Sequence, residues 1–120
     1  MVSPRRFLVI DDDAHSRLLV SKTLLRQYPT AIVQECQDIE TAIGVVRDVP
    51  KQPHTVVVAH RTLQVGGREL ITALRTAHSS VPIVWMDTRG AAPLAASAGA
   101  TRFLDKDAWL LIGSTVEDLL

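Results

Sequence analysis

Short apolar runs alternate with helical patterns along the whole sequence, and this alternation constrains the fold more than any other feature. Five runs of five to seven residues have the length of strands, and the first of them is continuously apolar, as in strands that are covered on both faces. No hairpin signal joins consecutive runs, so they predict parallel strands linked by crossover connections. The runs are RFLVI (6–10), TAIVQEC (30–36), HTVVVAH (54–60), PIVWMD (82–87) and TRFLD (101–105).

The segments between these runs carry apolar residues at the spacing of helices that bury one face. Val20, Leu24 and Tyr28 are four residues apart, and the helix that they predict ends before Pro29. Right-handed crossovers would place such helices on both sides of a doubly wound α/β sheet. The other predicted helices lie at 39–46, near 70–77, at 93–98 before Gly99, and from about 107 to the end.

The length and charge of the chain limit the classes of protein that it can represent. Its 120 residues are enough for one domain, assigned to 1–120. Thirteen basic and thirteen acidic side chains cancel, so no net field directs this domain to nucleic acid or to anionic lipid. The single cysteine, Cys36, excludes an internal disulfide and is typical of the reducing cytoplasm. We expect no membrane segment and no signal peptide.

Ligand sites in sheets of this kind lie beyond the carboxyl ends of the strands, where the strand order reverses. The residues at those ends are therefore the candidate site residues. An acidic triplet follows the first run and a lysine follows the fifth, whereas the third run ends with an alanine and a histidine. The whole set is Asp11, Asp12, Asp13, Ala59, His60, Asp87, Thr88, Asp105 and Lys106.

Three stretches together resemble the receiver domain of two-component response regulators, over essentially the whole chain. FLVIDDDAHSRLLVSKTLL is similar to the opening of that family, VPIVWMD to its fourth strand and AGATRFLDKD to its fifth. The resemblance implies a flavodoxin-like (βα)5 fold with five parallel strands in the order 2-1-3-4-5. It also implies that Asp11 and Asp12 correspond to the pair that holds magnesium, and Lys106 to the lysine that contacts the phosphoryl group.

The phosphate-accepting aspartate of that family has no counterpart in this sequence. When the chain is aligned on the glycine pair at 66–67, Ala59 falls at the acceptor position at the end of the third strand. Another alignment does not restore it, because the only carboxylate between 50 and 86 is Glu69, inside a predicted helix. Phosphorylation of an aspartate needs a carboxylate oxygen in line with the donor, which a methyl group cannot supply. We therefore expect a pseudo-receiver without catalytic residues.

Other positions of the predicted site also depart from the family, and they leave a vestigial acidic pocket of Asp11, Asp12 and Asp87. Asp87 stands where the family has a threonine or serine, although Thr88 takes that place if the loop shifts by one residue. Without the acceptor carboxylate we expect weak Mg²⁺ binding at Asp11 and Asp12 at most, and no other cofactor. Lys106 then serves as a counter-ion for one of the three carboxylates, since neighbouring carboxylates repel each other. Alternatively, Asp11 and Asp12 cap the first helix.

Several residues near these strand ends have a structural interpretation beside a functional one. His60 is more typical of a loop residue than of a phosphohistidine. Phe103 lies at a switch position of the family, and we interpret it as a packing residue because there is no phosphoryl group to sense. A helix on a sheet buries only one apolar stripe, and more apolar residues than that are present at Trp109, Leu110 and Leu111. These side chains therefore either contact flanking helices or form an interface. The resemblance implies a dimer through the face formed by the fourth helix, fifth strand and fifth helix.

The function that these residues favour is a receiver domain that controls an attached output domain or a partner protein without phosphorylation. We expect it to be the N-terminal domain of a larger regulator, with transcription as the commonest output of the family. One alternative is a receiver with an unconventional acceptor, and another is a small flavodoxin-like nucleotide-binding protein. The second alternative lacks a Gly-rich phosphate loop, and DDDAHSR after the first strand would repel phosphate.

Overall fold

The predicted strands form one parallel sheet, and when they are numbered along the chain their order is 2-1-3-4-5, as the resemblance implied. The structure is a computed structural model that describes residues 4–48, 55–60 and 66–120. Each strand lies within the run that predicted it, shortened by no more than two residues at its start. The strands are β1 (Arg6–Ile10), β2 (Ile32–Cys36), β3 (Thr55–His60), β4 (Ile83–Asp87) and β5 (Arg102–Asp105).

Helices connect the strands and cover both faces of the sheet. The first helix begins where the Asp13 side chain accepts hydrogen bonds from two backbone N–H groups, and it ends before Pro29 as predicted. The fourth helix ends at Gly99, whose φ of 109° favours a residue without a side chain. The α-helices within the described residues are α1 (Ala14–Gln27), α2 (Ile39–Arg47), α3 (Gly67–Ala77), α4 (Ala92–Ala98) and α5 (Ile112–Glu117). None of the described helices is both long and apolar enough to cross a bilayer.

The last predicted helix is wrong in its first part. The chain forms a 3₁₀ segment over Lys106–Leu111, and regular α-helix begins only at Ile112. The Asp105 side chain accepts a hydrogen bond from the Asp107 N–H and starts this segment, and Ala108 has a non-helical φ of −102° and ψ of 29°. Ala108 and Trp109 both pack against the core on the side of the sheet that α1 and α5 cover.

Two separate cores lie on the two faces of the sheet because side chains alternate along each strand. In β4, Ile83 and Trp85 face the core beneath α2, α3 and α4, which we call the α2–α4 core. Val84 and Met86 face the core beneath α1 and α5, which we call the α1–α5 core. The alternation continues to the carboxyl end of each strand, so it decides which face each site residue joins.

Arg75 of α3 connects several elements at the amino ends of the strands, which is the end of the sheet opposite the predicted site. Its Nε donates to the Gly99 carbonyl at 2.8 Å, its Nη1 to the Val81 carbonyl and its Nη2 to Thr101 Oγ1 at 3.1 Å. Burial lowers the pKa of the guanidinium below its usual value. The side chain thus ties α3 to the end of α4 and to the chain entering β4 and β5.

The two outer strands carry polar or charged side chains on several exposed positions, beside the 42% exposed Ile32 of β2. Gln34 and Glu35 of β2 are exposed, and Arg17 of α1 binds Glu35 through a 3.0 Å contact between Nε and Oε1. At the other edge β5 has only four residues and begins with the exposed Arg102. Both edges therefore combine short strands with charge.

Candidate functional site

A pocket of about 440 Å³ lies at the carboxyl end of the sheet, on the side of the α1–α5 core. It is bounded by the loop after β1, the start of α1, the end of β3 and the 3₁₀ segment. Its charged and titratable lining brings together residues that are distant in the sequence: Asp11, Asp12, Asp13, His60, Lys106 and Asp107. Its apolar lining comes from Leu19, Val20, Met86 and Trp109.

Asp11 is the most deeply buried carboxylate of this pocket, with 6% of its surface exposed. Its Oδ1 accepts a hydrogen bond from the Asp13 N–H at 2.9 Å and lies 4.0 Å from His60 Nδ1. Burial raises the pKa of the Asp11 carboxyl, and the Asp13 N–H and His60 only partly offset this effect. Arg17 fixes the loop through a 2.8 Å hydrogen bond from Nη1 to the Asp11 carbonyl.

The other two members of the acidic triplet have different surroundings. Asp13 caps α1: its carboxylate accepts from the His15 N–H at 3.0 Å and from Ser16, which lowers the pKa of Asp13. The capping role that the sequence allowed for Asp11 and Asp12 therefore belongs to Asp13. Asp12 is half-buried and lines the pocket.

Lys106 lies at the rim of the pocket, as its place after β5 predicted. It is exposed, and its ammonium forms no ion pair within 4.0 Å of any carboxylate in the described part of the chain. The predicted pairing with one of the three carboxylates is thus not formed there. Asp105 contacts Arg89 instead, at 3.4 Å between Oδ2 and Nε, in a solvent-exposed pair worth little stability.

Ala59 is fully buried in the α2–α4 core and does not line the described pocket. In the sheet it stands between Ile10 of β1 and Trp85 of β4. His60, the next residue, faces the other side of the sheet and reaches the pocket beside Asp11. Sequence reasoning treated His60 as a loop residue, although the period-two alternation of β3 was the signal that places it opposite Ala59.

The indole of Trp85 lies between β4 and the first turn of α3. It is 1% exposed, and a Cβ added to Gly67 would lie only 2.6 Å from its Cζ2 atom. Its Nε1 donates to Asp87 Oδ2 at 3.3 Å. Trp85 was not among the predicted site residues, because a tryptophan within an apolar run looks like ordinary core.

Asp87 is the last residue of β4 and is buried, with 4% exposure. Besides the indole of Trp85, its carboxylate accepts the Thr88 N–H at 2.7 Å. Asp87, and not the exposed Thr88, thus ends the strand. Asp11 and Asp12 line the described pocket, whereas Asp87 is not among its lining residues.

The remaining candidates separate into packed and exposed residues. Phe103 is half-buried and packs against the α2–α4 core. Trp109 packs against the α1–α5 core and lines the pocket, so it is only partly available to a partner. Leu110 and Leu111 are 67% and 56% exposed, and Leu94 of α4 is 43% exposed.

The residues of the site do not fit a magnesium centre well. Among the residues that the structure describes, no three His, Cys, Asp or Glu side chains converge on a point where they could hold a metal ion. Magnesium bound by one or two carboxylates relies on phosphate oxygens for further ligands. Asp11 lies in a buried turn, Asp13 caps α1, and Asp12 lies in the wall of the pocket.

The fold is that of receiver domains of known structure. No protein-family model and no curated protein matches this sequence. The chemotaxis protein CheY4 of Vibrio cholerae matches with a TM-score of 0.77 and 21% identity over 98% of this chain and 100% of that one. The signal receiver domain of the response regulator NarL from Mycobacterium tuberculosis matches with a TM-score of 0.77 and 22% identity over 98% and 96%. NtrX from Brucella abortus has a TM-score of 0.72 and 23% identity over 98% of this chain but 28% of its own.

Proposed function

We propose that this chain is a receiver-like signalling domain that acts through contacts with other proteins and is not phosphorylated. The observation that carries the proposal is the end of β3, where the fully buried methyl group of Ala59 stands beside Trp85 in the sheet register. The resemblance places the acceptor aspartate at this position. Ala59 offers no oxygen to attack a phosphorus atom, so the transfer has no nucleophile.

The end of the neighbouring strand β4 supports the same proposal. The buried carboxylate of Asp87 accepts hydrogen bonds from Trp85 Nε1 and from the Thr88 N–H. A phosphoryl group brought to this end of the sheet would meet a negative charge where the family has a neutral hydroxyl group. The hydrogen bonds of Asp87 are those of a structural carboxylate.

The alternative functions find less support. Asp11 is buried, with 6% exposure, and its Oδ1 accepts the Asp13 N–H, while the Asp13 carboxylate caps α1. The turn after β1 presents three carboxylates where a nucleotide-binding fold of this kind would present N–H groups to phosphate. We therefore assign no enzymatic activity and no nucleotide to the domain.

We further propose that the domain controls an output domain or partner in the cytoplasm and forms a homodimer through its α4–β5–α5 face. Leu94, Leu110 and Leu111 expose their side chains on α4 and on the 3₁₀ segment before α5. The partial match to the longer NtrX chain supports a place within a larger regulator. Light scattering tests the dimer: Leu111→Glu should give a monomer, whereas Leu18→Glu on the exposed side of α1 should not. A monomeric parent chain would contradict the dimer.

Incubation with acetyl phosphate or phosphoramidate in the presence of Mg²⁺ tests the main proposal. We expect the intact mass to remain unchanged, while a phosphorylatable receiver domain treated in parallel gains one phosphoryl group. A stoichiometric gain of one phosphoryl group on this chain would overturn the proposal. Repeating the reaction on His60→Gln and Asp12→Asn variants would then identify the unconventional acceptor.

A further inference from the structure

We propose that the pocket at the carboxyl end of the sheet binds an organic cation, namely a primary ammonium group carried on an apolar body. The inference rests on the proposed function in one respect: a pocket used for phosphorylation would not be open to such a ligand. Three properties of the described residues support it: an oxygen of Asp11 that accepts no hydrogen bond, an apolar floor beneath it, and carboxylates too dispersed for a metal ion.

The first property is the state of the Asp11 carboxylate. Its Oδ1 is occupied by the Asp13 N–H, but its Oδ2 accepts no hydrogen bond from any residue that the structure describes. The only described side-chain oxygen that is both sealed from solvent and without a partner is Ser21 Oγ, so Asp11 Oδ2 remains reachable. Since Asp11 lines the pocket, this oxygen is reached from there. A buried carboxylate with an open acceptor gains most from a charged donor.

The second property is the apolar lining beside that oxygen. Leu19 and Val20 come from α1, Met86 from β4 and Trp109 from the 3₁₀ segment. The volume of about 440 Å³ lies within the range of pockets that enclose small organic ligands. Such a floor offers nothing to a hydrated metal ion, whereas it can cover the carbon skeleton of an amine. The indole of Trp109 can also attract the cation through its π face.

The third property is the distribution of charge around the pocket. Among the residues that the structure describes, its charged lining consists of four aspartates and one lysine, with His60 beside them. No three metal-binding side chains converge within the described residues, so this charge is spread around the rim. Lys106 lies exposed at the rim of the pocket, and its ammonium forms no ion pair with a carboxylate in the described part of the chain. Carboxylates dispersed beside an apolar lining suit a cation with an extended body better than a small divalent ion, which needs several oxygen ligands at one point.

These properties define how the ligand would lie. The ammonium donates hydrogen bonds to Asp11 Oδ2 at the inner end of the pocket, close to the carboxylate of Asp12. The apolar body extends over Met86 and Trp109. Binding neutralises a carboxylate whose ionised form is disfavoured by burial, and it joins β1 to the 3₁₀ segment before α5. An amine would therefore connect the pocket to the face that carries Leu110 and Leu111.

An NMR titration of the whole chain with 2-phenylethylammonium chloride, without Mg²⁺ or phosphate donor, tests the inference. The sequence has two tryptophans, so two indole N–H signals report on two different places. We expect a saturable shift of the Trp109 signal and a nearly constant Trp85 signal, because Trp85 is buried against Asp87. The neutral analogue 2-phenylethanol should shift the Trp109 signal at least about tenfold more weakly, since it lacks the charge-assisted hydrogen bond.

Two variants complete the test. Asp11→Asn retains an oxygen for the Asp13 N–H but removes the charge, and it should weaken amine binding by about tenfold or more. Asp118→Asn changes an exposed carboxylate outside the pocket and should leave the affinity unchanged. Equal binding of the alcohol, unchanged affinity in Asp11→Asn, or no saturable shift would each overturn the inference. None of these results bears on the phosphorylation test, which reports a change of mass.

Discussion

The fit of Trp85 against the first turn of α3 gives a prediction that can be worked out quantitatively. Gly67 is the first residue of α3, and replacing it with alanine would place a Cβ 2.6 Å from Trp85 Cζ2 and 3.1 Å from Cε2. The indole cannot readily yield, because it is 1% exposed and its Nε1 is hydrogen-bonded to Asp87. The backbone of α3, the Trp85 ring or strand β4 must therefore move.

The magnitude follows from two opposing effects. Alanine inside a helix is more favourable than glycine by about 1 kcal/mol. Forcing an extra methyl group into a packed site costs about 1–3 kcal/mol. Because the contact here is with a rigid buried ring, we expect Gly67→Ala to lower the free energy of unfolding by about 1–2 kcal/mol.

Gly44→Ala is the matched control for this substitution. Gly44 lies inside α2, and an added Cβ would meet no atom within 4 Å, so we expect a gain of about 0.5–1 kcal/mol. Urea unfolding followed by far-ultraviolet circular dichroism measures both variants without depending on tryptophan fluorescence. In a Trp85→Phe background the ring is smaller, and Gly67→Ala should become much less damaging. The reasoning would be refuted if Gly67→Ala were as stable as the parent chain.

Three further predictions concern single side chains. Ala59→Asp should lower the free energy of unfolding by about 3 kcal/mol at pH 7, because it places a charge in an apolar core, and it should not restore phosphorylation. Its folded-state pKa would be raised, so the loss should shrink at acid pH; intact stability with phosphoryl uptake would contradict this. Asp11→Asn should be more stable than the parent at pH 7, because burial raises the pKa of the Asp11 carboxyl and disfavours its ionised form. The gain should vanish below the ordinary pKa of 3.8, where the carboxyl is protonated in both the folded and the unfolded chain. Thermal unfolding at a series of pH values measures this. Ser21→Ala should add about 1 kcal/mol in urea unfolding, because the Ser21 hydroxyl is buried without a partner; a loss would indicate a bound water.

The alternation of apolar runs and helical spacing predicted the strands and most of the helices, because inner strands such as β1 and β4 are apolar and buried along almost their whole length. The strand order came from the family resemblance and is confirmed. The candidate site was placed at the carboxyl ends of the strands because ligand sites of parallel α/β sheets lie there. The last helix was the exception, since the pattern AWLLI does not reveal that Ala108 leaves the helical conformation.

The alternation along β3 places Ala59 and His60 on opposite faces of the sheet, but the sequence alone could not decide which of the two faces the pocket. Ala59 and His60 are neighbours in the chain, yet one is sealed in the α2–α4 core and the other lines the pocket. That division depends on where β3 begins its alternation relative to β1 and β4, which is a property of the assembled sheet. The contact between Gly67 and Trp85 also joins residues that are distant in sequence, and no local pattern marks it.

The outer strands limit the ways in which copies of this chain can associate. An open strand edge can extend a sheet from one molecule into the next, which is the route to fibres. Here β2 presents Gln34 and the Arg17–Glu35 pair, while β5 is four residues long with Arg102 at its start. A second molecule that added a strand at either edge would have to desolvate these charges. The charges on both outer strands therefore disfavour extension of the sheet by a second molecule.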